Sequence, residues 1–329
     1  MVRESFNRHP RAWIVRETHY FDDLRPRLRN YGRAPLEQDE MSAVERYFLS
    51  LGHRAYGAET DEEQSVVPRE LLRERANAIG GGGDAYFEAF CRIRAEQNGK
   101  QLWGEKTPRH AFRIAEMLAA FPSAHVVCLI RDPRAVVASY RDWTRRPALD
   151  PATGGPFSAD RRRARSSYNV VLASLLCKAA LRAALQGCER YGPERVRLLV
   201  YEELVGEPER VLRELTSWLG LRYDPLMLDV PLVQSSYNAD GAGGISKEPL
   251  QRWRSKLAPA EVRVIESSCG GLMHELGYTL DRPSCSPLTL SAAWLSAVPG
   301  VARAAFANRR RLGRAGRYIG ARVRLALGS

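Results

Sequence analysis

Residues 101–143, QLWGEKTPRHAFRIAEMLAAFPSAHVVCLIRDPRAVVASYRDW, decide the fold. LWGEKT is a short apolar strand that ends in charge. Pro108 suits the first turn of a helix, where its missing N–H is not needed. AFRIAEMLAAF carries apolar residues at helical spacing, and FPSA breaks it. HVVCLI is a β-branched run with little polar interruption, the pattern of a strand buried on both faces. RDPR follows at once, and AVVASY opens a second helix. Two consecutive βα units imply a parallel sheet. In such sheets the ligand sits beyond the carboxyl ends of the strands. Glu105, Lys106, Arg131 and Arg134 all fall there. A Lys and an Arg at strand ends, each beside a helix N-terminus, make a site for phosphate or another anion.

Upstream, AWIVRE (12–17) reads as a strand with Glu17 at its end. THYFDDLRPRL reads as a turn into an exposed segment. Residues 37–58 and DEEQSVVPRELLRERANAI read as helices, the second begun by Pro68. IGGGGD (79–84) is a loop, without the Lys-Ser/Thr of a phosphate loop. Asp84 is the expected cap of the next helix, AYFEAFCRIRAEQNG. Residues 37–100 thus form a helical insertion between two strands, a lid or acceptor-specificity element.

Downstream, RRPALDPATGGPFSADRRRARS (145–166) is a loop rich in Pro, Gly and Arg. SYNVVLASLLCKAALRAALQGCERYG is one long amphipathic helix. RVRLLVYEEL is the last clear strand, and PERVLRELTSWLGL another helix. Residues 224–248 are irregular and Gly-rich, and residues 249–277 give two helical pieces around Ala258–Pro259.

The chain has 329 residues, room for one large α/β domain with appendages or for two small domains. Its net charge of +12 is almost all arginine excess and suits an anionic partner. The six cysteines are scattered, with no CxxC and no metal spacing, which points to a reducing compartment. The N-terminus lacks the apolar core of a signal peptide. No run of about 18 apolar residues stands out, so no transmembrane helix is expected. These features predict a cytoplasmic protein. The tail 283–329 differs: eight arginines are interleaved with Phe306, Leu312, Tyr318, Ile319, Val323 and Leu325. A basic amphipathic tail of this kind is either solvated or laid on an anionic surface, which would make the protein membrane-peripheral. No specific nucleic acid is expected.

GEKTPRH, CLIRDPRAVVASY, LLVYEELVGEPERVLRELTSWLGL and the WRSKL…ELGY close, in that order, resemble the PAPS-dependent sulfotransferases. The nearest members in pattern are bacterial sulfotransferase-family proteins and the tyrosylprotein sulfotransferases. The resemblance covers roughly residues 5–280. It implies an α/β fold, a P-loop-NTPase-like parallel sheet flanked by helices, and a nucleotide-binding transferase. The cofactor implied is PAPS as sulfuryl donor, with no metal. Arg131 and Ser139 match the pair that binds the 3′-phosphate, and Tyr201 a tyrosine against the adenine. Ser246 and Lys247 loosely match the late loop over the 3′-phosphate. Lys106 matches a lysine on the sulfuryl oxygens, and Glu17 a general base. His19 is a rival base, and Glu105 is either the ion-pair partner of Lys106 or a second base candidate. The acceptor implied is a small molecule, glycan or peptide.

The family's PRSGTT-like phosphate loop has no counterpart here. SFNRHPRAWIVRETHYF resembles the end of the helix after that loop and then the second strand. A chain starting mid-helix would lack a central strand and the 5′-phosphosulfate site, leaving strand edges unpaired. An inactive sulfonucleotide-binding or interaction relative is therefore the alternative expectation.

Overall fold

The computed structural model describes residues 1–51, 67–145, 164–230, 245, 247 and 250–307. Two strand pairs position the predicted site. β1 (Ala12–Val15) and β2 (Leu102–Glu105) run parallel in the register Val15 to Glu105. β3 (Val126–Ile130) pairs with β4 (Val196–Val200) as a second two-stranded sheet. Gly104 sits opposite Ile14, and a Cβ there would come within 2.5 Å of the Ile14 Cδ1.

The residues fall into two compact units. The first holds Met1–Val126, Glu194–Arg197 and Glu207–Ile245. The second holds Val127–Pro193, Leu198–Gly206 and Ser246–Ser329.

In the first unit, α1 (Val2–Arg8) precedes β1, as the order of helix then strand predicted. Its Asn7 Oδ1 accepts from the Ile14 N–H at 2.7 Å, and Arg3 Nε donates to the Ile14 carbonyl at 3.1 Å. The Val15 carbonyl instead faces β2, accepting from the Lys106 N–H at 3.0 Å. Side chains of α1 thus occupy the edge of β1 that β2 does not use. α2 (Gln38–Leu51), α3 (Arg69–Ala78) and α4 (Gly83–Gln97) follow. α4 is buried along most of its length, and its Phe87 and Phe90 share one apolar cluster with Trp13, Val15 and Phe48. α4 is therefore core, within the insertion 37–100 that was read as a lid or acceptor-specificity element.

Three further expectations change here. THYFDDL is not exposed: Tyr20–Leu24 form a π-helical turn with Tyr20, Phe21 and Leu24 buried in the same cluster. An aromatic stack of Tyr20 on Phe87, at 4.9 Å, holds it in. Asp84 is not the cap of α4, which is Gly82. Its carboxylate accepts from the Tyr20 hydroxyl at 2.7 Å and from Arg25 at 2.8 and 3.0 Å. HVVCLI is not buried on both faces, since Leu129 is exposed. The glycine loop behaves as predicted: Gly80 and Gly81 have φ of +119° and +80°, which L side chains rarely adopt. The run after Pro108 begins as a 3-10 turn, Pro108–Arg113, before α5 (Ile114–Ala120).

In the second unit, α6 (Pro133–Arg145) and α7 (Val170–Tyr191) follow a strand and a loop as predicted; YEEL, read as the end of a strand, is instead the helix α8 (Tyr201–Gly206), because β4 stops at Val200. The helix α9 (Pro208–Trp218) belongs to the first unit. α10 (Trp253–Lys256) and α11 (Pro259–Glu275) are the two pieces expected around Ala258–Pro259. α12 (Pro287–Leu295) opens on a Ser286 cap, and after a turn at Ser296 helix resumes through Ala307.

Contrary to the expectation of none, two helices among the described residues are long and apolar enough to cross a membrane by length and composition, Val170–Tyr191 and Pro287–Ala307. Half of the first is buried inside the protein, as a core helix would be; of the second, only 6% is.

Candidate active site

The carboxyl ends of β1 and β2 bring three predicted residues together. Glu17 lies two residues past Val15, and Lys106 one residue past Glu105. The Lys106 Nζ donates to Glu17 Oε1 at 2.5 Å. The His19 Nε2 stands 3.6 Å from Glu17 Oε2. Arg109 Nη2 lies 3.0 Å from His19 Nδ1. A guanidinium can only donate, so Nδ1 accepts and the ring hydrogen sits on Nε2, facing Glu17. In this arrangement His19 is a donor to Glu17, and its backbone (φ 54°) adopts the left-handed conformation to get there. Burial pushes the Glu17 carboxyl up, but His19 and Lys106 outweigh it and lower it to about 2.

Glu105 is neither the partner of Lys106 nor a free carboxylate. Its side chain is buried and accepts from the Thr18 N–H at 2.7 Å, the Thr18 hydroxyl at 2.9 Å and the Thr107 hydroxyl at 2.5 Å. His110 Nδ1 lies 3.0 Å from its other oxygen. Burial alone would raise its pKa; His110, Thr107 and Thr18 together hold it below the ordinary carboxylate value. Glu105 therefore ties the segment after β1 to the segment after β2. Arg109 and Thr18 escaped the sequence reading. Arg109 stands in the quoted run GEKTPRH, but nothing local shows that it reaches His19.

At the ends of β3 and β4 a different pair meets. Arg131 follows β3, and Tyr201 opens α8 directly after β4. The Arg131 guanidinium lies over the Tyr201 ring at 4.4 Å. The Asp132 N–H donates to Glu202 at 3.0 Å, and the Tyr278 hydroxyl donates to the same carboxylate at 2.8 Å. Arg134, placed by the sequence at the ligand end, is buried instead. It bonds Asp132 at 2.8 Å, Glu266 at 2.8 Å and Asp281 at 3.3 Å, and stacks on Trp253 at 4.2 Å. Three carboxylates commit it to structure.

Ser139 is half-buried on α6, which begins two residues after Arg131. Lys247 is exposed, its carbonyl accepting from the Leu250 N–H at 3.1 Å. Ser246 lies outside the described residues. Glu17, His19 and Lys106 belong to the first unit; Arg131, Ser139, Tyr201 and Lys247 belong to the second.

A family model described as the sulfotransferase family matches residues 1–225. Carbohydrate sulfotransferase 5 of Mus musculus is 28% identical over 166 residues, 46% of this chain and 41% of that protein. The omega-hydroxy-beta-dihydromenaquinone-9 sulfotransferase Stf3 of Mycobacterium tuberculosis is 32% identical over 120 residues, 35% of this chain and 28% of that protein. The chain thus spans less than half the length of these curated relatives. Among solved structures, the sulfotransferase domain from the curacin biosynthetic pathway gives a TM-score of 0.49 at 16% identity, covering 85% of this chain and 93% of that one.

Proposed function

We propose, for a chain that belongs to the sulfotransferase family, that it moves a sulfuryl group from PAPS to a hydroxyl or amine of its acceptor. The observation that carries this is the Glu17–Lys106 ion pair, 2.5 Å long, at the carboxyl ends of two parallel strands in register. It joins a proton acceptor to a cation suited to sulfuryl oxygens. The names of the relatives, a carbohydrate sulfotransferase and a sulfotransferase of a hydroxylated menaquinone, support a hydroxyl as acceptor.

PAPS supplies an activated sulfuryl group and a phosphate leaving group. By the family resemblance Arg131 and Tyr201 are the residues proposed for its nucleotide: the Arg131 fork matches phosphate oxygens, and the Tyr201 face can take the adenine. Ser139 adds a hydroxyl on the helix after Arg131, with Ser246 and Lys247 as the loop contribution. Glu17 takes the acceptor proton as the acceptor oxygen bonds to sulfur and the bridging S–O bond breaks. Lys106 neutralises charge on the oxygens of the transferring group. His19 holds the second Glu17 oxygen and keeps the carboxylate aimed.

The ion pair also sets a sequence. At a pKa of about 2, Glu17 is ionised at any working pH and is a feeble base. Its basicity rises in part when Lys106 turns from the carboxylate to the sulfuryl oxygens, with His19, the first of the lowering influences, still in place. Proton uptake is thus tied to the presence of the donor. The test is transfer from radiolabelled PAPS to a panel of glycan and lipid hydroxyls, with calorimetric titration of PAP beside it. PAP binding together with labelled product is expected; an absence of PAP binding by the folded full chain sinks the reading.

A further inference from the structure

The helical run Pro287–Ala307 carries one charged residue, Arg303, in 21 positions. One stripe of it is packed within the second unit. Leu290, Ala293 and Ala297 sit against the cluster of Val170, Val171, Trp253 and Ile265. Gly300 is buried so closely on Asn169 that a Cβ would stand 3.0 Å from that side chain. Asn169 Nδ2 donates to the Ser296 carbonyl at 3.0 Å and hydroxyl at 2.8 Å. The stripe repeats every three or four residues, the spacing of one helix face.

The remaining apolar residues have no such place. Leu288 is 83% exposed, Leu295 68%, Val298 72% and Val301 54%. At 100° per residue Leu288, Leu295 and Val298 share a face turned away from the packed stripe, with Val301 and Trp294 at its margin. A solvated surface helix carries polar residues there. An apolar face of this extent on a soluble protein marks a contact surface. Immediately after it, residues 308–329 contain Arg309, Arg310, Arg311, Arg314, Arg317, Arg322 and Arg324 and not one Asp or Glu. An apolar face continued by an unbalanced run of arginine is complementary to an interface that is apolar below and anionic at its surface.

We propose that Pro287–Ala307 lies in the interface of an anionic phospholipid membrane, its Leu288–Leu295–Val298 face in the acyl boundary; the positive charge of the sequence that follows is complementary to the anionic headgroups. It lies on the bilayer and does not span it. Spanning would strip Ser296 and Gly300 from Asn169 and expose the packed stripe, whereas lying flat leaves every one of those contacts in place. The protein is thereby a peripheral membrane protein, docked through its second unit.

The test is co-sedimentation of the full chain with vesicles of phosphatidylcholine containing about one third phosphatidylglycerol, at roughly 0.15 M salt. Binding is expected to these vesicles and to fall at least about tenfold on pure phosphatidylcholine or in high salt. Leu295→Asp/Val298→Asp, at positions that touch solvent, is expected to keep the wild-type circular dichroism and lose binding by at least about tenfold. Arg309→Glu/Arg310→Glu/Arg311→Glu is expected to lose the preference for anionic lipid. Unchanged binding of the folded Leu295→Asp/Val298→Asp variant, or no binding of the wild type, overturns the proposal. So does a dimer in light scattering that the same variant dissolves, which would give the face to a second copy. Membrane fractions from which alkaline carbonate fails to extract the protein overturn it in favour of a spanning helix.

Discussion

The two strand-pair ends are built from similar residue types and handle charge in opposite ways. At the end of β1–β2, charge meets charge: Lys106 closes on Glu17, Arg109 on Asp23, and Glu105 gathers two hydroxyls, an amide and His110. At the end of β3–β4, Arg134 collects Asp132, Glu266 and Asp281, while Arg131 rests on an aromatic ring. On the proposed function the difference separates two tasks. A proton-transfer group needs a carboxylate whose basicity a neighbouring cation can switch. At the second end Arg134 holds Asp132, Glu266 and Asp281, and Tyr278 holds Glu202.

Each end is expected to fail separately. The largest effect expected is for Glu17→Gln: loss of transfer by about 10²–10⁴-fold with calorimetric PAP affinity unchanged. Full activity in that variant would move the base elsewhere and dissolve the contrast. Arg134→Ala leaves three carboxylates around a buried gap and is expected to cost about 3–5 kcal/mol of stability, read as a fall in the urea midpoint. A silent Arg134→Ala would mean that this arginine does not hold the second end together.

Glu105→Gln comes next. Its folded pKa is depressed, so its contribution is present above the unfolded carboxylate value, about 4.3, and is lost as pH falls below it. The variant is expected to be less stable near neutrality and to show a flatter decline toward acid. A decline as steep as the wild type's would place the acid-sensitive group elsewhere. Arg131→Ala is expected to weaken PAP binding by about 1–3 kcal/mol and leave the urea midpoint almost unmoved. The smallest effect is on a pH profile. Lys106→Met removes a cation that lowers Glu17, so any residual transfer should acquire an acid limb shifted up toward the ordinary carboxylate range, about 4.3. An unshifted limb would show that Lys106 does not govern the Glu17 proton.

Much of this was legible from local pattern. GEKTPRH and CLIRDPRAVVASY are contiguous, and strand-then-helix periodicity places Lys106 and Arg131 at strand ends without any tertiary knowledge. Glu17 was placed by its position just after AWIV. The misses share a cause. That Tyr20 and Phe21 are buried depends on Phe87, more than sixty residues away in sequence, so THYFDDL read as exposed. Arg134 and Glu105 look like Arg131 and Glu17 in composition, and only long-range partners (Glu266 for one, Thr18 for the other) separate ligand from scaffold. The apolar character of 287–307 was hidden by its small residues, since Ala, Gly and Ser interrupt the longer side chains and blur an apolar run.

The cover that α1 lays over β1 bears on how the protein behaves in concentrated solution. A bare strand edge offers its N–H and C=O groups to any other chain, the usual start of ordered aggregation. Asn7 and Arg3 occupy that position at Ile14 with side chains, which cannot propagate a ladder. Handling therefore hinges on a short helix: trimming α1, or replacing Asn7 by an apolar residue, is expected to raise self-association, read as increased light scattering in concentrated solution.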